Sequence, residues 1–390
     1  MNVLLLGYDW TVFKDAPTAG DTRTRMAGYA RRLDELKPGS TLTLMSYSRE
    51  RLSGIRRGGD NLWFVPAYAP NPHLFLLSGW FQAVHLPKHL WPDVISSQSP
   101  FEDAILGLLL GKRFRAKCEV QTHFDLVSPY WLKEHPIINC WRIRLARFCY
   151  RRADLVRVPS SRLKREIARQ LGIEDGKIRA VIVPSSFAGS AVTGAQRDAV
   201  QPDLPGGHSQ YVLYLGRLAW EKNIPFLLDV ATEVRARRPS VGFVIAGDGP
   251  QREFLEREVE RRNLHRHVHL LGQVPHQHIG GLLAQANVLI LPSYYEGLAR
   301  VELEAYAAGV PCVSTSVSGA DDMILNGETG FIVEVNDLPT FVERLTWLLD
   351  HPDEARKMGS RGQQHVLAKY AYERVVDELV RGWIGLVSQK

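Results

Sequence analysis

The chain is poor in cysteine. Its four, Cys118, Cys140, Cys149 and Cys312, form no C-x-x-C pair and no metal-ligand spacing, so neither a disulfide scaffold nor a zinc site is indicated and a reducing cytosol suits it. No apolar run is long enough to span a bilayer, because Leu74 to Leu86 and Ala104 to Leu110 are too short or too interrupted. The start carries no basic n-region and no small-residue cleavage site, so Val3-Leu4-Leu5-Leu6 reads as a first strand and no targeting segment is expected. Zinc-finger spacing, aromatic-rich ribonucleoprotein motifs and basic-zipper patterns are missing, which argues against nucleic acid as a partner. No G-x-G-x-x-G follows the first strand, and no acidic residue stands at the matching distance, which argues against a dinucleotide-dependent oxidoreductase.

What is present is enough for an enzyme. At 390 residues the chain exceeds what one hydrophobic core usually supports, so two domains are expected. A hydrophobic share of 45% and a charged share of 23% are those of an ordinary globular protein. The net charge of +6, with a pI near 9.1, favours an acidic partner such as a phosphorylated ligand or an anionic membrane. Arginines gather between Trp141 and Arg169, among them Arg142, Arg144, Arg147, Arg151 and Arg152, interleaved with Leu, Phe and Tyr. That segment reads either as a solvated helix face with snorkelling stems or as a basic amphipathic surface for peripheral association with anionic lipid.

Short apolar runs bounded by turn residues alternate with helical patterns, which implies parallel sheets with both faces covered. In the first half the strands are Val3 to Leu6, Thr41 to Met45, Leu62 to Val65, Val94 to Ser96, Cys118 to Gln121, Leu155 to Val158 and Ala180 to Val183. Ser160 or Ser161 caps a helix whose face is Leu163, Ile167 and Leu171, and Gly172 stops it. The pattern dissolves between Pro184 and Gln210. It resumes with strands at Val212 to Leu215, Val241 to Ala246, Val268 to Leu271, Val288 to Leu291, Cys312 to Thr315 and Phe331 to Val333. The expected architecture is α/β: two doubly wound, Rossmann-like domains facing a central cleft. The amino-terminal domain spans 1–190, a linker 191–210 and the second domain 211–370, with a final helix over 371–390 packing back toward the first.

The chemistry concentrates between Asn287 and Pro311. A strand ends at Pro292-Ser293, the loop Tyr294-Tyr295-Glu296-Gly297 follows, and a helix runs to Gly309. The first-turn amides of that helix, over Gly297, Leu298, Ala299, Arg300 and Val301, offer donors and a positive dipole end to a phosphate. Glu296 and Glu304 flank the amide row; two carboxylates would repel an anion, so they are expected to accept hydrogen bonds from hydroxyls. Gly216-Arg217-Leu218 follows the strand Val212 to Leu215, and Glu221-Lys222 opens the next helix. Arg217 supplies a planar fork and Lys222 a point charge for a diphosphate.

With these motifs on the page, the carboxy-terminal half resembles the retaining glycosyltransferases of family 4, which have the GT-B fold. The resemblance rests on Gly216-Arg217-Leu218, Glu221-Lys222-Asn223, Ala246-Gly247-Asp248-Gly249-Pro250, Leu271-Gly272, Pro292 to Gly297, Glu304-Ala305, Ala308 to Pro311 and Asn326 to Gly330. It implies that Arg217 and Lys222 hold the donor diphosphate, Glu296 the donor sugar and Glu304 the ribose. The backbone from Leu271 to Val274 would meet the base, with Asp248-Gly249 shaping the turn beside the nucleotide. In the first half Gln98 to Glu102 and Gln121-Thr122-His123 are similar to family positions, which makes His123 a candidate for the reaction centre. Thr18-Ala19-Gly20-Asp21 stands for the glycine-rich loop, with Gly20 available for close approach to phosphate or acceptor. The chain departs from the family pattern at Ala299, at Glu302, where an apolar residue is common, and at Pro184-Ser185-Ser186-Phe187.

The implied reaction moves a sugar from a nucleotide-diphosphate donor to an acceptor hydroxyl with retention. It needs neither cofactor nor metal, since Arg217, Lys222 and the helix amino end meet the leaving group. The acceptor is a glycan, a lipid-linked glycan or a small molecule, as in polysaccharide or glycolipid synthesis. The setting is cytoplasmic, in solution or on the inner face of the membrane. An epimerase or phosphorylase on the same scaffold, or a non-catalytic sugar-binding protein, are the competing readings.

Overall fold

The computed structural model describes residues 1–13, 20–52, 54–184 and 207–388. The chain divides into two compact units, Met1–Ser186 with Glu373–Lys390, and Phe187–Tyr372. Most of the segment read as a linker, the turn over 185–187, and Thr18 and Ala19 lie outside the described residues.

The amino-terminal unit alternates strands and helices: β1 Asn2–Gly7, α1 Gly20–Leu36, β2 Thr41–Ser48, β3 Arg56–Arg57, β4 Leu62–Tyr68, α2 Phe75–Val84, β5 Val94–Ser97 and α3 Glu102–Phe114. It continues through β6 Lys117–Gln121, α4 Pro129–Glu134, α5 Pro136–Arg152, β7 Leu155–Val158, α6 Ser161–Leu171 and β8 Ile178–Ala180. Among the described residues these strands form one sheet in the order β3-β4-β2-β1-β5-β6-β7-β8, parallel except for β3. Val3 to Leu6 are buried on both faces, which is why β1 is an unbroken apolar run. Helix α6 is fixed at both ends: Ser160 Oγ accepts from the Leu163 amide at 3.1 Å, and Gly172 takes φ +61°.

Two sequence expectations shift here. The apolar run over Ala180 to Val183 overlaps the strand only at its start: β8 spans Ile178–Ala180, and the Val181 amide makes a last contact to Val158 O at 2.9 Å where the partner β7 ends. Ile182 is buried all the same, so the rest of the run recorded burial and not pairing. Gly20 is the first residue of α1 and does not sit in a loop.

The carboxy-terminal unit begins with β9 Gln210–Leu215, α7 Ile224–Arg237, β10 Val241–Ala246, α8 Arg252–Arg261, β11 Val268–Gly272 and α9 His276–Gln285. There follow β12 Val288–Leu291, α10 Arg300–Ala307, β13 Cys312–Thr315, α11 Ala320–Met323, β14 Gly330–Val333, α12 Leu338–Asp350 and α13 Pro352–Tyr370. All six strands are parallel, in the order β11-β10-β9-β12-β13-β14. The chain therefore starts in the middle of the sheet and winds first one way and then the other, so connections diverge between β9 and β12 and open a crevice at the carboxyl ends of the strands. Ile224, Leu227, Leu228, Ala231 and Val234 seat α7 on the sheet as one buried stripe.

The last helix, α14 Tyr372–Ser388, packs within the amino-terminal unit. Its Trp383 is fully buried, meets the Tyr29 ring edge-on at 6.0 Å, and donates from Nε1 to Glu119 Oε2 at 3.0 Å. Arg32 pairs with Asp377 on the same helix.

Candidate active site

The loops that leave β9 and β10 lie against each other through bare backbone. The Gly216 amide donates to Ala246 O at 3.1 Å, Leu218 N to Asp248 O at 2.9 Å, and Gln251 N to Leu218 O at 2.9 Å. A Cβ on Gly247 would stand 1.8 Å from Gly216 O, and one on Gly249 2.4 Å from Leu218 O, so both positions require glycine. The Gly247 amide donates to Gly272 O at 2.7 Å, which ties in the loop after β11. Asp248 Oδ1 accepts from the Gly249 amide at 2.7 Å, and its Oδ2 pairs with Arg252 at 3.2 Å.

These loops border a cavity of about 410 Å³, within the usual range for a small-molecule site. Gly216, Arg217, Gly247 and Asp248 line it from the first two loops, Gln273 and Val274 from the third, and Ile279, Val301 and Glu304 from α9 and α10. The structure thus brings Gly216, Arg217, Asp248, Val274, Val301 and Glu304 together from across the unit. Gln273 lies inside the stretch Leu271 to Val274 expected to meet the base, whereas Ile279 was not singled out from the sequence, because it carries only an ordinary apolar helix signal.

Beside the cavity, Lys222 Nζ and Glu296 Oε1 form an ion pair, and Ser293 Oγ donates to the same oxygen at 2.8 Å. Both charged side chains are largely buried, at 15% and 11% exposed. The loop is anchored by Tyr294 N, which donates to Glu221 O at 2.8 Å, and by Thr315 Oγ1, which donates to Ser293 O at 2.6 Å. The Lys222 stem passes next to Gly216, its Cε 3.8 Å from where a Cβ would be. Arg217 is open to solvent and donates from Nη2 to Glu221 Oε1 at 2.7 Å.

Gly297, Leu298 and Ala299 lead into α10, whose amino end has no side-chain cap and whose first residue is Arg300. Gly319 at φ +90° lies close under them, its absent Cβ 3.1 Å from Gly297 O. Helix α10 is buried all round, and that includes Glu302. Neither Glu302 oxygen has a hydrogen-bond partner of good geometry, and Ser314 Oγ beside it donates to Thr315 O at 3.2 Å. Burial, reinforced by the Glu296 charge and opposed by Ser314 and Lys222, raises the Glu302 pKa to about 8, so it is a neutral acid at pH 7.

His123 belongs to the other unit, just after β6. Desolvation, then the Arg157 and Arg25 guanidiniums, push its pKa down to about 3. The ring is exposed in its surroundings, so the two cations are the firmer cause; the direction, a neutral imidazole at pH 7, is the same. Gly20 lies in that unit too.

Comparison with known proteins bears on the family and the fold. Residues 197–365 match the model for glycosyl transferases group 1, and residues 25–182 the model for glycosyltransferase family 4. An alpha-D-kanosaminyltransferase of Streptomyces kanamyceticus is 29% identical over 267 residues, 67% of this chain and 68% of that protein. Other curated relatives are matched over about two-fifths of their own length. Among solved structures, sucrose-phosphate synthase from Thermosynechococcus elongatus superposes with a TM-score of 0.83 at 22% identity, over 100% of both chains. HepE of Anabaena, solved with UDP-glucose, superposes with a TM-score of 0.74 at 16% identity over 99% of each chain.

Proposed function

The chain belongs to the group 1 and family 4 glycosyltransferases of GT-B fold, and from that premise we propose that it transfers a glycosyl group from a nucleotide-diphosphate sugar to an acceptor hydroxyl with retention at the anomeric carbon. The observation that carries this reading is the cavity of about 410 Å³ at the carboxyl ends of β9 to β11, which offers Arg217 and the uncapped end of α10 to an anion and buried Glu304 to a hydroxyl. That HepE was solved with UDP-glucose supports a nucleotide sugar as donor, and the kanosaminyltransferase supports glycosyl transfer as the reaction.

In this reading Arg217, Lys222 and the amides around Gly297 to Val301 stabilise the leaving diphosphate, so activity survives a chelator. Arrival of the diphosphate draws Lys222 off Glu296, which frees that carboxylate for the hydroxyls of the transferred sugar. The acceptor attacks from the face the diphosphate leaves, and the leaving phosphate takes its proton; any role of His123 in the reaction is that of a neutral imidazole and not of a cation. The enzyme works in the cytoplasm on a glycan, lipid-linked or small-molecule acceptor.

A thermal-shift series with uridine, guanosine and adenosine diphosphates, followed by their sugars, tests the reading. One nucleoside diphosphate raises the melting temperature, and its sugar releases that nucleotide when acceptor is present. Absence of stabilisation by all three sinks the donor assignment. A trapped covalent glycosyl-enzyme sinks the same-face displacement.

A further inference from the structure

Large exposed apolar side chains are unevenly distributed over the described residues. Apart from Ile55 and Leu325, they all fall between Leu74 and Phe148, in the amino-terminal unit. Helix α5 is the extreme case, because its polarity is inverted. Asn139, Ala146, Cys149 and Tyr150 face inward, while Ile137 is 79% and Trp141 66% exposed, with Phe148 also open to solvent. Ile137, Trp141, Arg144, Phe148 and Arg152 follow one another at intervals of three and four, so they form a single outward stripe.

The same stripe is cationic. The sequence of α5 holds five arginines and no acid. The Arg144 guanidinium stands 5.2 Å from the Trp141 ring and that of Arg152 3.7 Å from the Phe148 ring. Each aromatic thus carries a cation on its face while keeping its apolar edge in water. Helix α3 packs between α5 and α2, and α2 has no charged residue at all; on it Leu77 is 65% and Phe81 60% exposed. Exposed apolar side chains in this number are seldom left uncovered on a soluble protein.

We propose that the outward face of α5, continued by α2, seats the protein on an anionic lipid bilayer. Ile137, Trp141 and Phe148 enter the boundary between headgroups and acyl chains, and Arg144 and Arg152 stay level with the lipid phosphates. Charge decides for lipid over a second copy of the chain. A two-fold interface through α5 would set five guanidiniums against five others with no acid on either helix to offset them. A bilayer with negative headgroups complements both halves of the stripe. No helix among the described residues is long and apolar enough to cross a membrane, so the contact is one of surface seating. The docking stands independently of the donor and acceptor assigned above.

Co-sedimentation of the full chain with vesicles tests this, using pure phosphatidylcholine against phosphatidylcholine with one third phosphatidylglycerol, at low and high salt. The expected result is binding to the anionic vesicles alone, weakened by salt. Ile137→Ser with Trp141→Ser, and separately Arg144→Gln with Arg152→Gln, should each lower partitioning about tenfold or more. These side chains project into solvent, so folding should survive; circular dichroism checks it, and Ile137→Ser alone, the mildest change, backs up the double variant. Nucleoside diphosphate binding, measured on the same preparations, reports the catalytic reading separately. The proposal is overturned if no binding occurs at low salt, if neutral and anionic vesicles bind equally, or if the variants bind like the parent. It is equally overturned if the chain self-associates without binding lipid and the same variants dissolve the oligomer.

Discussion

Lys222 and Glu296 neutralise each other across 74 positions of sequence, with Ser293 Oγ adding a second contact at 2.8 Å to the same carboxylate oxygen. Each is the nearest counter-charge of the other, so removing one changes what its partner can bind. Glu296→Ala should therefore move two measurements in opposite directions. Turnover falls about 10- to 100-fold, the weight of a lost charge-assisted hydrogen bond to a sugar hydroxyl. Affinity for the nucleoside diphosphate stays level or improves, because Lys222 is released. Calorimetry and initial rates on one preparation give both; a variant that loses diphosphate affinity in step with turnover refutes the exchange.

Glu302 gives a pH dependence with a definite sign. Its folded pKa, about 8, stands above the ordinary 4.5 because of burial. Below the ordinary value the carboxyl is protonated in folded and unfolded chain alike, and its contribution to stability is fully present. As pH climbs from there toward 8, the unfolded chain releases a proton that the folded chain retains, and stability declines across that window. Glu302→Gln keeps the shape and removes the titration, so its advantage over the parent should grow with pH. Denaturant midpoints measured from about pH 5 to about pH 8 decide it, and parallel curves would count against a neutral buried acid.

Trp383 ties the last helix to the amino-terminal sheet. It closes a buried cluster in which Glu119 also accepts from Ser96 and from Gln121 Nε2 at 3.1 Å, and faces Arg157 at 3.6 Å. Trp383→Phe should cost about 1 to 3 kcal/mol, since it removes a buried hydrogen bond to a carboxylate. Trp383→Ala adds a cavity and should cost about 3 to 5 kcal/mol. Thermal unfolding resolves the two; equal losses would mean that the hydrogen bond contributes nothing.

The sequence announced some of this more clearly than the rest, for physical reasons. Strands such as β12, Val-Leu-Ile-Leu, were legible because burial on both faces leaves an unbroken apolar run. Strand β3, two exposed arginines, has no such signature. Gly247 and Gly249 were visible as a motif, but the reason for them, a backbone crossing at Gly216 and Leu218, exists only once β9 and β10 pair. Glu302 stood out as a departure where the family commonly has an apolar residue, but its complete burial on α10 appears only in the structure. The arginines of α5 suggested a solvated face or a lipid surface alike; the exposure of Ile137 and Trp141 beside them is visible only in the structure.

Arg217 is the cleanest probe of the donor site, because its side chain is exposed and pairs with Glu221, only four residues away. Little of the fold depends on a solvent-exposed pair of that kind, so Arg217→Ala should melt within a degree or two of the parent. Its fork lines the cavity, however, and a guanidinium meets a diphosphate with two parallel donors. Loss of that contact should weaken nucleoside diphosphate binding about 10- to 100-fold. Arg217→Lys keeps the charge without the fork, so it should recover only part of the affinity. Titration calorimetry on the three proteins orders them parent, Lys, Ala; Lys equal to the parent would reduce Arg217 to a point charge, and Ala equal to the parent would remove it from the site.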